Sequence, residues 1–289
     1  MVYRDEQTGE LSGLSRVRAI TQDDAHVFCR APQSEAEIAK IWDIIEHLNA
    51  TFGIMLKVRF GRHDPAQMDK YIGDESMWEK AEAQVKAVIE AKGVEYTDGV
   101  GDAAFYGPKI DFVGHDVLGR EFQAGTIQLD FGQPEGFDLV CTNEIGERER
   151  IVMIHAAIMG SMERFMVLLL EQTGGALPLW LSPEQVRLVP INDAKEVLDY
   201  TDNLRRKLEE RELRVGVDST AESVGKKIRA AGLLKVPYTL VIGEKEIESG
   251  EVSPRLRQGH GSFDGKLKVD DFTDKLRQEV VEHANSSLL

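Results

Sequence analysis

Apolar positions recur at helical spacing in two early stretches. Ile38, Ile41, Trp42, Ile45 and Leu48 follow Ser34 and Glu37, whose spacing fits a capping box, and together they predict an amphipathic helix. A second stripe, Trp78, Ala81, Val85, Val88 and Ile89, runs from Asp74 towards Gly93, a helix-stopping residue, and places both tryptophans in a core. Short apolar or alternating runs at 54–60, 109–113, 122–129 and 152–155 predict strands. Strands that adjoin strands with few helices between them predict a largely antiparallel sheet with helices packed on it. Beyond GGALPLWLSP, whose glycines and prolines predict a linker, the order becomes strand 186–191, helix 194–210, strand 213–217, helix 223–231, strand 238–242. Such alternation predicts a small α/β domain with a mostly parallel sheet, closed by a last helix over 271–283.

The same alternation carries candidate chemistry. In TQDDAH, Gln22, Asp24 and His26 take every second position, so a strand there sets an amide, a carboxylate and an imidazole on one face, with Arg16 and Arg18 of SRVRAI on the same side. Such a face either meets solvent at a sheet edge or meets a polar ligand. A second imidazole, His155, ends the apolar run Ile151 to Ile154, and two neutral imidazoles from separate strands can share one metal ion. In Gly160-Ser161-Met162-Glu163-Arg164 a turn and a capping serine lead into a helix whose free N–H groups point outward. Arg164 in that first turn opposes the helix dipole unless an anion binds. Arg4 and Glu6 adjoin a loop, 7–14, that joins two antiparallel strands, and a loop arginine also suits phosphate. Phe105-Tyr106-Gly107-Pro108-Lys109 has the composition of a tight turn into a strand. Gln123 and Gln128, five apart, share a face only if the strand is bulged, and Gly125 is the natural place for it.

Composition narrows the class. A chain of 289 residues can hold two domains, and its longest apolar stretch, Phe165 to Leu170, is far short of a membrane span. With no signal pattern at the N-terminus, a cytoplasmic location is expected. Two cysteines, Cys29 and Cys141, form no disulfide framework or paired-cysteine zinc motif and are expected to be small buried residues. A net charge of -15 argues against nucleic-acid binding over the whole surface. Between Glu222 and Arg257, however, seven basic residues meet five acidic ones, with Lys226, Lys227, Arg229 and Lys235 on or just after one helix. That local excess is either ordinary solvated surface or a footprint for a polyanion.

Taken together, TQDDAHVF, AFYGPKIDF, QAGTIQLDF, VMIHAAIMGSMERF and VPYTLVIGEKEIESG resemble threonyl-tRNA synthetases, which are class II aminoacyl-tRNA synthetases, in order and spacing over nearly the whole chain. The resemblance implies an α+β antiparallel-sheet class II synthetase catalytic core, truncated at its N-terminus, over 1–176. It further implies a linker over 177–184 and a small α/β anticodon-binding domain with a mostly parallel sheet over 185–289. The implied activity is a threonine–tRNA ligase that activates threonine with ATP and Mg²⁺ and passes it to the 3′ end of tRNA(Thr). Arg4 and Glu6 resemble the second class motif and GSMERF the third. Arg4 would hold the α-phosphate and the substrate carboxylate, and Arg164 the γ-phosphate. His26 and His155 would be Zn²⁺ ligands, and Asp24 would accept the hydroxyl proton. Gln22, Tyr106, Lys109, Gln123, Gln128 and Ser161 would line the pocket. Glu222, Arg229, Lys245, Glu246 and Arg255 match anticodon-contacting positions, with Lys235 where an arginine is usual and Ala221 where an asparagine is common. A zinc site that requires the hydroxyl as a ligand rejects valine by ~10⁴, whereas a merely accommodating pocket manages about a hundredfold. The family's first class motif, its dimer interface, and an upstream cysteine that would be the third zinc ligand have no counterpart here. Cys29 would face the other way from His26. The alternatives implied are a non-catalytic tRNA-binding fragment, one part of a split synthetase, or a related class II enzyme for serine or proline.

Overall fold

The computed structural model describes residues 1–289 as two compact units, 1–172 and 173–289. In the first unit the elements are β1 (Val2–Tyr3), β2 (Ala19–Ile20), β3 (Ala25–Arg30), α1 (Ser34–Thr51), β4 (Lys57–Arg62) and α2 (Glu75–Lys92). They continue with β5 (Tyr96–Val100), β6 (Lys109–His115), β7 (Glu121–Asp130), α3 (Gln133–Gly136), β8 (Val140–Thr142), β9 (Arg148–Ala157) and α4 (Met162–Thr173). Strands β3-β9-β7-β6-β4-β5 form one sheet in that order, with β8 also on β9. Every pairing is antiparallel except β4 with β5, which α2 joins as a crossover.

Register decides which face each side chain takes. Ile154 and Ala156 of β9, Ile127 and Leu129 of β7, and Ile110 and Phe112 of β6 are buried on one face against α1 and α2. Trp42 of α1 meets Phe112 edge-on, with ring centroids 4.8 Å apart. Fully burying one such side chain stabilises by roughly 1.5–3 kcal/mol, which is why two short helical stripes suffice to fix this face of the sheet. Asp74 caps α2 by accepting from the Met77 N–H, and Gly93 ends it at φ 65°. Ser34 does not cap α1. It is the first helical residue, its hydroxyl donates to the Ala31 carbonyl, and Glu37 pairs with Lys40. The short helical turn over Ala31–Gln33 already leads the chain into α1, so no capping box is needed.

The second unit holds β10 (Val186–Pro190), α5 (Lys195–Glu209), β11 (Val215–Val217), α6 (Val224–Leu233), β12 (Tyr238–Ile242) and α7 (Glu244–Ser249). It closes with β13 (Glu251–Val252), β14 (Arg255–Leu256), β15 (Leu267–Lys268) and α8 (Val269–Val281). The sheet order is β11-β10-β12-β14, parallel apart from β14. Leu188, Leu240 and Ile242 are fully buried in its core with Phe272 and Leu276 of α8. The segment read from composition as a linker packs into this unit. Leu179 is fully buried, and residues 179–181 form a helical turn. Arg214 donates to the Trp180 and Ser182 carbonyls, and Arg257 to those of Ala176 and Leu177. Those two guanidiniums give hydrogen-bond donors to carbonyls of a segment that pairs with no strand.

Candidate active site and basic cleft

The face of the first sheet opposite the helices is polar. Cross-strand pairing sets His26, His155, Gln128 and Lys109 side by side on four neighbouring strands. The row beside it holds Ala157, Thr126, Asp111 and Arg59. Gln123 reaches this face because β7 carries one extra residue at Ala124: Phe112 pairs with Gly125, and Val113 with Gln123. The bulge lies one residue before the glycine at which it is expected. An added Cβ on Gly125 would sit 2.9 Å from two carbonyl oxygens, those of Ala157 and Ile158, so the strand passes closely there.

The strand read through TQDDAH starts only at Ala25. Gln22 forms an isolated bridge with Ser161, and the Met162 N–H donates to the Thr21 carbonyl, so this segment binds the start of α4 rather than continuing β3. Asp23 reinforces the junction: its carboxylate accepts from the backbone N–H groups of Ile158 and Met159. Arg16 and Arg18 do not extend the face of His26. Arg16 bonds the Glu6 carboxylate at 2.8 Å and Glu10 at 3.1 Å, and Arg18 donates to the Glu6 carbonyl and the Thr8 hydroxyl. The guanidinium of Arg16 holds the Glu6 carboxyl below the usual range. Arg4, Glu6, Gln22, Gln123, Ser161 and Arg164 line a single cleft. The Arg164 N–H reaches the Ser161 hydroxyl at 3.4 Å and its Nε donates to the Ser15 carbonyl, which steers the guanidinium towards the 7–18 loop. The side chain of Arg4 makes no hydrogen bond or ion pair.

The two histidine rings meet edge to face with centroids 4.7 Å apart. His155 bonds Asp130 through Nε2 at 2.8 Å, and Asp130 is fully buried, its other oxygen accepting from the Gly132 and Gln133 N–H groups. In the neutral ring this leaves Nδ1 of His155 as the lone-pair nitrogen, the arrangement that carboxylates impose on metal-binding histidines. Asp24 lies 3.8 Å from His26. Tyr106 stacks at 5.0 Å on His155 and donates to Gln128. Burial, followed by the nearby carboxylates of Asp130 and Asp24, pushes its phenol up. The turn that aims Tyr106 needs Gly107, where a Cβ would fall 1.7 Å from the Leu129 carbonyl oxygen.

The pair supplies two imidazole donors for zinc, but an open zinc site takes three protein ligands, and the chain has no group of three His, Cys, Asp or Glu side chains able to hold a metal. Cys29 does not complete it, being buried on the opposite face. Cys141 is half-buried rather than core.

In the second unit Arg229, Lys235 and Arg255 line one cleft, and none has an acidic partner. The larger cluster read from sequence divides: Lys227 is buried with its ammonium on the Pro190 carbonyl, and Lys226 is paired with Glu222 at 2.8 Å. Glu246 caps α7 by accepting from the Gly243 N–H, and Lys245 lies on that same helix. Glu222, Lys245 and Glu246 therefore stand outside the cleft of Arg229 and Arg255.

Four carboxylates at the first site, Asp23, Asp111, Asp130 and Glu163, escape a reading of single motifs. Asp111 and Asp130 each stand two positions after a candidate residue, Lys109 and Gln128, so strand alternation was the available signal. Glu163 accepts from the Thr21 N–H and the Ser161 hydroxyl, which no local spacing announces.

Residues 1–173 match the tRNA synthetase class II core domain (G, H, P, S and T), and residues 185–279 match an anticodon binding domain. The chain is 37% identical to a crystal structure of the RNA binding domain of threonyl-tRNA synthetase from Cryptosporidium parvum, at a TM-score of 0.88, covering 96% of this chain and 68% of that one. The chain belongs to the threonyl-tRNA synthetase family. A putative threonyl-tRNA synthetase of Aeropyrum pernix matches 99% of this family member at a TM-score of 0.78 and 26% identity, with 69% of that chain covered. Threonine–tRNA ligases of Deinococcus radiodurans and Prosthecochloris aestuarii are 47% and 44% identical over 95% and 96% of the chain. The chain spans 42% of the length of each of these relatives. Prolyl-tRNA synthetase from Cryptosporidium parvum, at 14% identity and a TM-score of 0.66, shares the fold. No helix is long and apolar enough to cross a membrane.

Proposed function

We propose that the chain is the adenylation and anticodon-binding part of a threonine–tRNA ligase, which activates threonine with ATP and Mg²⁺ and transfers it to the 3′ end of tRNA(Thr) in the cytoplasm. The observation that carries this is the single cleft shared by Arg4, Gln22, Gln123, Ser161 and Arg164 beside the histidine pair. Attack of a carboxylate on the α-phosphate of ATP needs no enzyme nucleophile. It needs anions held in line and the charge developing on phosphorus offset, which fixed guanidiniums do. Arg4, its guanidinium uncommitted, holds the α-phosphate and substrate carboxylate, with Glu6 fixing the loop through Arg16. Arg164 holds the γ-phosphate. Gln22, Tyr106, Lys109, Gln123 and Gln128 set the walls, and Asp24 accepts the hydroxyl proton of threonine.

His26 and His155 would supply two protein donors to a Zn²⁺ ion, and an open zinc site needs one more. A zinc ion held by them would supply Lewis acidity that makes the substrate hydroxyl a requirement. Asp130 holds the His155 ring in the tautomer that suits ligation. In the second unit Arg229 and Arg255, with Lys235, receive the anticodon backbone, while Glu222, Lys245 and Glu246 form its margin.

Threonine-dependent ATP–pyrophosphate exchange, measured with and without added Zn²⁺, tests the catalytic part. Exchange that depends on threonine and is not supported by valine supports it. Absence of exchange by a folded chain overturns independent catalysis. A second reading, a non-catalytic tRNA-binding fragment or one part of a split enzyme, is favoured by two observations: the incomplete zinc donor set of the first unit and the cluster of unpaired cations in the second. Salt-sensitive binding of tRNA(Thr) without ATP turnover would select it.

A further inference from the structure

We propose that Asp111 is the positioning residue of the cleft floor, setting the direction of three site side chains at once. This deepens the ligase reading and rests on it. Asp111 is 4% exposed, in the middle of β6. One of its oxygens accepts from Gln123 Nε2 at 3.0 Å and from the Thr126 hydroxyl at 2.9 Å, and the other accepts from the Lys109 ammonium at 2.6 Å. A buried carboxylate is tolerated only when its lone pairs are occupied, and here three donors from two strands occupy them. The contacts have directional consequences. Because Gln123 and Thr126 each give a hydrogen to Asp111, Gln123 Oε1 and the lone pairs of Thr126 are left for the cleft, which both residues line. Beside the second Nε2 hydrogen of Gln123, the floor therefore presents two acceptor atoms, suited to a ligand group that donates, such as an amine or a ribose hydroxyl. The stem of Lys109 crosses Gly61, where a Cβ would stand 2.8 Å from Lys109 Cγ, so the lysine has one favoured path to Asp111.

Asp111→Asn keeps shape and removes the charge. An asparagine offers one acceptor atom where the carboxylate offers two, so either Lys109 loses its partner or Gln123 and Thr126 must turn their donors into the cleft. The test is competitive labelling of lysines by acetic anhydride in the full chain without substrate, followed by calorimetric titration with ATP. In the parent, Lys109 is expected to react far more slowly than the exposed Lys195. In Asp111→Asn, Lys109 labelling should rise about tenfold, equivalent to about 1.4 kcal/mol, and ATP affinity should fall by a similar factor. Equal labelling of Lys109 and Lys195 in the parent overturns the proposal even if the variant fails to fold. Unchanged labelling and unchanged ATP affinity in a folded variant overturn it as well. Labelling reads the Asp111 contacts whether or not the chain catalyses exchange, so failure of the ligase reading leaves a separate signature: Lys109 protected in the parent, with no ATP binding by either protein. If exchange is present, loss of kcat in Asp111→Asn with KM for threonine little changed marks positioning, whereas equal loss of folded fraction and activity marks a structural role and overturns the proposal.

Discussion

In the first unit several side chains are already matched: Glu6 holds Arg16 at the cleft, and on the open face of the sheet Asp111 holds Lys109 and Asp130 holds the His155 ring. In the cleft of the second unit Arg229, Lys235 and Arg255 face solvent without a carboxylate. The first arrangement fixes direction. Its donors and acceptors are oriented before any ligand arrives, which suits a reaction where geometry at one atom decides the rate. The second stores attraction. Unpaired cations gain by displacing counterions from a polyanion and tolerate imprecise placement, which suits the backbone of a nucleic acid. A chain with a net charge of -15 can therefore still hold a polyanion, because the relevant charge is local.

Substitutions can separate the two modes. Arg164→Ala is expected to have the largest effect: threonine-dependent pyrophosphate exchange should fall by about 10²–10³, the usual cost of one transition-state donor, with tRNA binding unchanged. An equal loss of tRNA affinity would show that the two clefts are not separate devices. In the second unit, Arg229→Ala and Arg255→Ala should each weaken tRNA binding and lower the slope of log K against log salt by about 0.7–1, while exchange is preserved. A slope that stays the same would mean that these cations meet no phosphate.

Tyr106 gives the smallest and most local effect. Its folded phenol is raised above the ordinary value of 10.0, chiefly by burial. Below 10.0 the folded and unfolded states both keep the proton, and the donation to Gln128 is intact. As pH climbs from there through the folded value, the unfolded chain releases its proton first, so the stabilisation is lost progressively. Denaturation curves of the parent and Tyr106→Phe should therefore converge in that alkaline window and run parallel below it. Convergence on the acid side instead would contradict the burial of this ring.

Much of the fold was legible because it depends on short-range periodicity. The α2 stripe from Trp78 to Ile89 lies between its Asp74 cap and Gly93, and Tyr238–Ile242 is the strand its apolar run predicts. Ser34 misled because a capping box is a local pattern, and the helical turn at 31–33 had already set the chain's entry into α1. The segment 177–184 lies between the two family matches, and its contacts are long-range. Its prolines exclude a strand, but they do not stop distant Arg214 and Arg257 from binding its carbonyls.

The chemistry divides along the same line. Alternation and helix-start signals by themselves marked His26, His155, Ser161 and Arg164 and allowed for a bulge near Gly125, since each is written within a few residues of chain. Only the tertiary structure decided that Ala124 is the extra residue, that Gln22 bridges to Ser161, and that Asp111 and Asp130 govern their neighbours. Those facts depend on which strands pair and in what register. Register is set by apolar packing of the whole sheet on α1 and α2, a sum over distant residues that no single stretch of sequence contains.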